Sequence, residues 1–193
     1  MARKSTTDRS IRAQKTKRKL FQSAAKLVEK HGYDNVTIED ICRKANVSVG
    51  AYYHYYDSKT DIIVEIFRQI DDYYETKVTP LFTGDASADI DTFFRYYAVF
   101  HVDQGYEHTR MIIKAQTEMF LDKTRYMHVK LLELVEAAKA GGVFAGDADS
   151  ELIAGFLLVV ARGLLFDWSL SRGDYDMAEK MDKYITVAKR SFR

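Results

Sequence analysis

Apolar positions along this chain recur three and four residues apart, and no stretch alternates apolar with polar long enough to suggest a sheet. These stripes predict helices over roughly 9–31, 38–45, 49–55, 59–80, 88–103, 108–122, 125–140, 148–172 and 175–191. Glycines punctuate them: Gly32, Gly84, Gly105, Gly141, Gly142, Gly146 and Gly173 each stand where a stripe stops, and the single proline is Pro80. The fold class is therefore all-α, with about nine helices and no internal repeat.

The first three helices are linked by short turns. The first carries Ile11, Leu20, Phe21, Ala24, Ala25, Leu27 and Val28 as its apolar stripe and stops at Lys30-His31-Gly32, with basic residues in its last turn and glycine beyond. Thr37 offers a capping hydroxyl, and Glu39 and Asp40 fall in the following first turn. Ile38, Ile41, Cys42 and Ala45 form one buried face, Asn46 suits a left-handed turn, Val47 plugs that turn, and Ser48 caps a third helix. This order is the layout of a helix-turn-helix. Four tyrosines and a histidine occupy positions 52–56, a poor composition for a core but one whose polar tips suit phosphate oxygens and base edges.

Charge agrees with that layout. Residues 1–60 hold 13 Lys/Arg against 6 Asp/Glu, whereas residues 61–193 hold 16 against 22, giving +7 and −6. The split predicts a polyanion-binding domain at 1–60 and a second domain at 61–193. The one cysteine, Cys42, excludes an intramolecular disulfide and reads as a small buried hydrophobe. The basic start lacks an apolar stretch, and the longest apolar run, near Leu157–Ala161, is far short of a membrane span, so a cytoplasmic location is expected.

Thr37-Ile38-Glu39-Asp40-Ile41, Ala45-Asn46-Val47-Ser48-Val49-Gly50 and Tyr53-His54-Tyr55-Tyr56-Asp57-Ser58-Lys59 resemble the DNA-binding domain of the tetracycline-repressor (TetR) family, over about residues 15–67. The chain departs from the family's usual residues at Cys42, Asn46, Tyr56 and Ile62, where alanine, glycine, phenylalanine and leucine are common. The resemblance implies a phosphate-contacting cap at Thr37, groove or base contacts from Ser48, Val49, Ala51, Tyr52 and His54, and phosphate contacts from Tyr53 and Lys59. Gly50 would let the third helix approach DNA or the first helix closely, and Arg43 and Lys44 end the second helix where they suit either a phosphate or the helix dipole.

Motif specificity ends beyond Asp61. Phe93, Phe94, Tyr97, Phe100 and His101 on one helix, and Met111, Ala115, Glu118 and Met119 on the next, are the candidates for an apolar ligand pocket, which the resemblance implies, although any one of them also reads as core. His101 and His108 lack helical metal spacing, so no metal or cofactor is expected. The helix over 148–172 is apolar on most faces and needs more cover than one subunit supplies. Leu152, Gly155, Phe156, Val159, Gly163 and Phe166, with Tyr184 and Ala188 on the last helix, are the candidate two-fold interface, again as the resemblance implies.

These readings converge on a dimeric repressor that binds a palindromic double-stranded DNA operator and is released by a small apolar inducer. The alternative is a DNA-binding regulator controlled by a protein partner without an inducer. An enzyme is disfavoured, since no nucleophile–base pair, metal constellation or phosphate loop is present in the sequence.

Overall fold

A computed structural model describes residues 3–33, 35–114, 118–145 and 148–193. Among these the regular structure is helical: α1 (Arg3–His31), α2 (Ile38–Ala45), α3 (Val49–Tyr53), α4 (Asp61–Tyr73), α5 (Ala86–Gln104), α6 (Tyr106–Lys114), α7 (Tyr126–Ala140), α8 (Ser150–Leu170) and α9 (Met177–Arg190). Two expected helices differ. The stretch 59–80 continues past Tyr73 as a π-turn (Tyr74–Val78) and a 3-10 turn (Thr79–Leu81). Pro80, which has no N–H to bond a carbonyl one turn back, lies in that last turn. The stretch 108–122 holds α6 and a separate 3-10 turn at Glu118–Phe120.

The chain divides into two compact units, Met1–Ile66 with Met111–Gln116, and Phe67–Arg110 with Thr117–Arg193, so the division falls within α4. In the first unit α1 packs on α2 and α2 on α3. Leu20, Ala24, Val28, Val36, Ile41, Cys42, Ala45, Tyr52, Tyr56, Ile62 and Ile66 are buried there.

In the second unit α5 packs against α7 and α9, and α8 against the same two. The core between them includes Phe93, Phe94, Leu131, Val135, Ile153, Leu157, Leu164, Met181 and Ile185, each burial stabilising by about 1.5–3 kcal/mol. Three of these helices begin at aspartates whose side chains accept first-turn N–H groups: Asp85 from Ser87 and Ala88, Asp149 from Glu151, Asp176 from Glu179. The buried Asp89 carboxylate accepts from Thr83 N–H at 2.7 Å and Gly84 N–H at 2.9 Å, closing the turn before α5. With 21 residues and an 18-residue window of mean hydropathy 1.7, α8 is long and apolar enough to cross a membrane, unlike the short apolar run noted within it. Half of that window is buried against its neighbours, as in the core helix of a globular unit.

Candidate nucleic-acid interface

Polar contacts at fixed spacings set the geometry of the first unit. Thr37 and Asp40 form a reciprocal capping box: the Thr37 hydroxyl accepts from Asp40 N–H at 3.1 Å, while Asp40 Oδ2 accepts from Thr37 N–H at 3.1 Å and from the Thr37 hydroxyl at 2.8 Å. The bonds from Thr37 hold the Asp40 carboxyl below its ordinary range. Thr37, expected to donate to a phosphate, thus has its hydroxyl proton directed at Asp40.

Helix α2 ends at Asn46, which takes φ 53° and ψ 53°. Its N–H reaches Arg43 O, and Val47 N–H reaches Cys42 O at 3.0 Å, a Schellman closure that asparagine tolerates where glycine is usual. Ser48 then caps α3 by accepting from Ala51 N–H at 3.1 Å. Ser58 and Asp61 form a similar exchange at the start of α4, with Ser58 N–H and Oγ donating to Asp61 and Asp61 N–H to Ser58 Oγ.

The α2–α3 pair presents one exposed face of α3. Ser48, Val49, Gly50, Tyr53 and His54 are exposed and Ala51 is half-buried. Beside them Arg43 and Lys44 are exposed at the end of α2, Arg43 paired with Asp40. Along α1, Arg12, Lys15, Arg18 and Lys19 are exposed, while Lys17 pairs with Glu65 at 3.4 Å.

This geometry bears on three expected roles. Tyr52 cannot read a groove: it is fully buried, its hydroxyl donates to Ser58 O at 2.9 Å, and its ring packs 5.4 Å from that of Tyr56. Lys59 is not a free phosphate anchor. Its Nζ donates to the carbonyls of Tyr33 at 2.8 Å and Val36 at 3.0 Å and lies 4.2 Å from the Tyr33 ring centre, tying down the turn between α1 and α2. Gly50 does not serve close packing on α1, since a Cβ there would meet no atom within 4 Å. Cys42 is buried, and burial pushes its thiol pKa up.

In the second unit Phe93, Phe94, Tyr97, Phe100 and His101 are all buried. Phe93 is enclosed by aromatics, its ring 4.5 Å from that of Tyr74, whose hydroxyl donates to Phe93 O at 2.7 Å. Burial holds His101 neutral, with its pKa pushed down to about 3. Glu118 is exposed on its 3-10 turn and is no interior fixture, while Met119 is half-buried. Met111 is buried but belongs to the first unit, and Ala115 lies outside the described residues.

Along α8, Leu152, Phe156, Val159, Gly163 and Phe166 are exposed at alternating spacings of four and three, one stripe down one face, and Gly155 is half-buried. Neither Gly155 nor Gly163 has a neighbour within 4 Å of the Cβ position. Tyr184 and Val187 on α9 are also exposed, but Ala188 is buried within the unit and cannot belong to an outer face.

The comparisons with known proteins agree with this architecture. Residues 20–66 match the family described as bacterial regulatory proteins, tetR family. The Transposon Tn10 TetC protein of Escherichia coli is 32% identical over 94 residues, 47% of this chain and 46% of that protein. The HTH-type transcriptional regulator HbdR of Aromatoleum sp. (strain CIB) is 36% identical over 59 residues, 31% of this chain and 26% of that protein. The matches thus span half or less of these relatives. Over 89% of this chain and 97% of the other, the fold is that of the TetR family transcriptional regulator PfmR from Thermus thermophilus, with TM-score 0.69 and 21% identity. The matched segment holds the helix-turn-helix, and the likeness in fold extends through the helices that follow it.

Proposed function

We propose that this protein is a cytoplasmic, DNA-binding transcriptional regulator that acts as a homodimeric repressor on a palindromic operator and is released by a small apolar ligand. The observation that carries the reading is the exposed face of α3, where Ser48, Val49, Gly50, Tyr53 and His54 stand clear on a helix fixed by caps at both neighbouring turns. Gly50 leaves room for a sugar–phosphate backbone, Tyr53 and His54 offer polar tips to bases and phosphates, and Arg43 and Lys44 supply positive charge beside them.

The stripe along α8 supports the dimer, since contiguous aliphatic and aromatic exposure of this kind is covered in stable proteins. The two bare glycines allow a close approach by a second copy of the helix. A two-fold dimer presents two copies of α3, which requires an operator with matching symmetry. Release follows if a ligand in the second unit binds more tightly to the form unable to hold both half-sites. Selection of the full-length protein's DNA from a random duplex library tests the proposal: enrichment of one inverted repeat is expected, and recovery of no preferred sequence at low salt would refute it.

A further inference from the structure

The second unit holds two guanidinium groups around a pair of aromatic rings, Arg125 buried and Arg162 half-buried, and among the described residues no acid pairs with Arg162. Arg125 donates from Nε to Asp71 Oδ2 at 3.0 Å and from Nη2 to Asp71 Oδ1 at 3.1 Å and Phe67 O at 3.2 Å. The same carboxylate also accepts Met127 N–H at 3.1 Å, so Asp71 is fully engaged. The Arg125 guanidinium lies 4.6 Å from the centre of the Phe67 ring, which meets Phe120 edge-on at 5.1 Å. Beyond Phe120 stands Arg162, its guanidinium 5.4 Å from that ring and its Nη2 donating to Phe120 O.

Among the described residues Arg162 bonds to a neutral group, the Phe120 carbonyl, and the Tyr97 hydroxyl beside it favours the charged guanidinium. Its Nε is enclosed with no acceptor. Burial presses its pKa down, Tyr97 opposes this, and Arg125 adds to the depression. Arginine nevertheless stays protonated in such surroundings, so the charge persists. A half-buried cation with its Nε enclosed and no counter-ion among the described residues is unfavourable, and here the neighbouring rings offer only modest compensation. Beside it, the His101 ring lies 5.0 Å from that of Tyr97. His101 is 1% exposed, shares Nδ1 with the Thr109 hydroxyl at 3.1 Å, and keeps Nε2 enclosed without a partner.

We propose that Arg162, with Tyr97 and His101 beside it, forms the polar end of an internal site for an organic monocarboxylate carried on an aryl ring or alkyl chain. One uncompensated positive charge matches one negative charge, whereas a dianion would leave an excess among the rings. A guanidinium fork suits the planar carboxylate, with Nε free to donate. Tyr97 has a hydroxyl proton to donate, and His101 is neutral and supplies one further hydrogen bond through Nε2. Phe67, Phe100 and Phe120 give the surroundings that favour an apolar body.

The proposal names the ligand class for the ligand-responsive reading above and rests on it. It is tested by titrating the full-length protein, without DNA, with benzoate, 4-phenylbutyrate and octanoate, each compared with its amide by calorimetry and thermal shift. At least one carboxylate is expected to bind roughly tenfold or more tightly than its amide, because it gains charge-assisted hydrogen bonds. Arg162→Met is expected to abolish that preference while the amides bind as before, and Tyr97→Phe to narrow it.

Arg162→Met is also expected to melt no lower than wild type in the unliganded state, since it removes a half-buried charge that no acid among the described residues pairs. A clear fall in its melting temperature would assign Arg162 a purely structural role and overturn the proposal. Equal binding of acids and amides, binding of neither, or a preference that survives Arg162→Met would overturn it too. Should Arg162→Met not fold, Arg162→Gln carries the same comparison. Operator release is measured separately: carboxylate binding without release refutes the ligand-responsive reading, and release by neutral compounds alone refutes the carboxylate site.

Discussion

In the first unit α2 and α3 run only 8 and 5 residues, whereas α5 and α8 in the second run 19 and 21. Helices as short as the first pair do not persist alone, because each must recover the cost of nucleation over very few hydrogen bonds. They are held by side-chain caps at each turn and by Lys59, which fastens the preceding loop. The longer helices are ordered chiefly by burial on their neighbours. The two regions therefore expose different chemistry: polar-tipped Tyr53 and His54 on α3, and aliphatic Leu152 and Val159 on α8. The first kind of surface suits a hydrated polyanion, and the second suits another copy of itself.

Breaking the α8 surface is expected to have the largest effect. Val159→Asp combined with Phe166→Asp places charge in the exposed stripe, so the protein should sediment as a monomer at micromolar concentration. Operator affinity should then fall by about 100-fold or more as bivalent contact is lost. A variant that remains dimeric would show that another surface mediates assembly.

Within the first unit, Tyr52→Ala should cost about 3–5 kcal/mol in urea unfolding, the usual range for removing a buried aromatic ring. Tyr52→Phe loses only the bond to Ser58 O, worth about 1 kcal/mol, and should leave operator affinity unchanged. A loss of affinity in a folded Tyr52→Phe would restore this residue to the reading surface.

Thr37→Ala should cost about 1 kcal/mol through its cap. It should also return the Asp40 carboxyl toward its ordinary value of 3.8, as followed by NMR titration. Because the folded-state value is depressed, the Asp40 contribution is fully present above the ordinary value and is lost as pH falls through the folded one. Opposite in sign, Tyr56→Phe should stabilise by about 1 kcal/mol, since the Tyr56 hydroxyl is buried without a partner. Destabilisation by Tyr56→Phe in urea unfolding would mean that hydroxyl is bonded in solution.

Legibility in the sequence followed the same division. Thr37, Asn46 and Ser48 were readable because a cap acts on backbone two or three residues away, and the residue types that do this are few. The inward turn of Tyr52 was harder to see, since a cluster of tyrosines looks alike on every face. The spacing of Tyr52 and Tyr56, one turn apart and both buried, was the available signal, against the exposed Tyr53. The bonds of Lys59 to the carbonyls of Tyr33 and Val36 were not legible, because no local pattern indicates where a long side chain bonds backbone far away in sequence.

In the second unit periodicity located the helices but could not rank their buried residues, so Glu118 and Ala188 were assigned to the wrong surroundings. Arg162 was passed over within an apolar helix. A lone charge in the middle of such a helix is itself a signal, because leaving it there is unfavourable unless something pairs with it.

The central claim is that the exposed face of α3 reads DNA. Its most direct test is fluorescence anisotropy on the operator recovered by selection, comparing wild type with Tyr53→Ala/His54→Ala across a range of salt concentrations. The account predicts that the double variant remains a folded dimer and loses its preference for the operator over random DNA. The salt slope should stay close to that of wild type, because the Lys and Arg side chains that displace counterions are untouched. An unchanged preference in a folded double variant would contradict it.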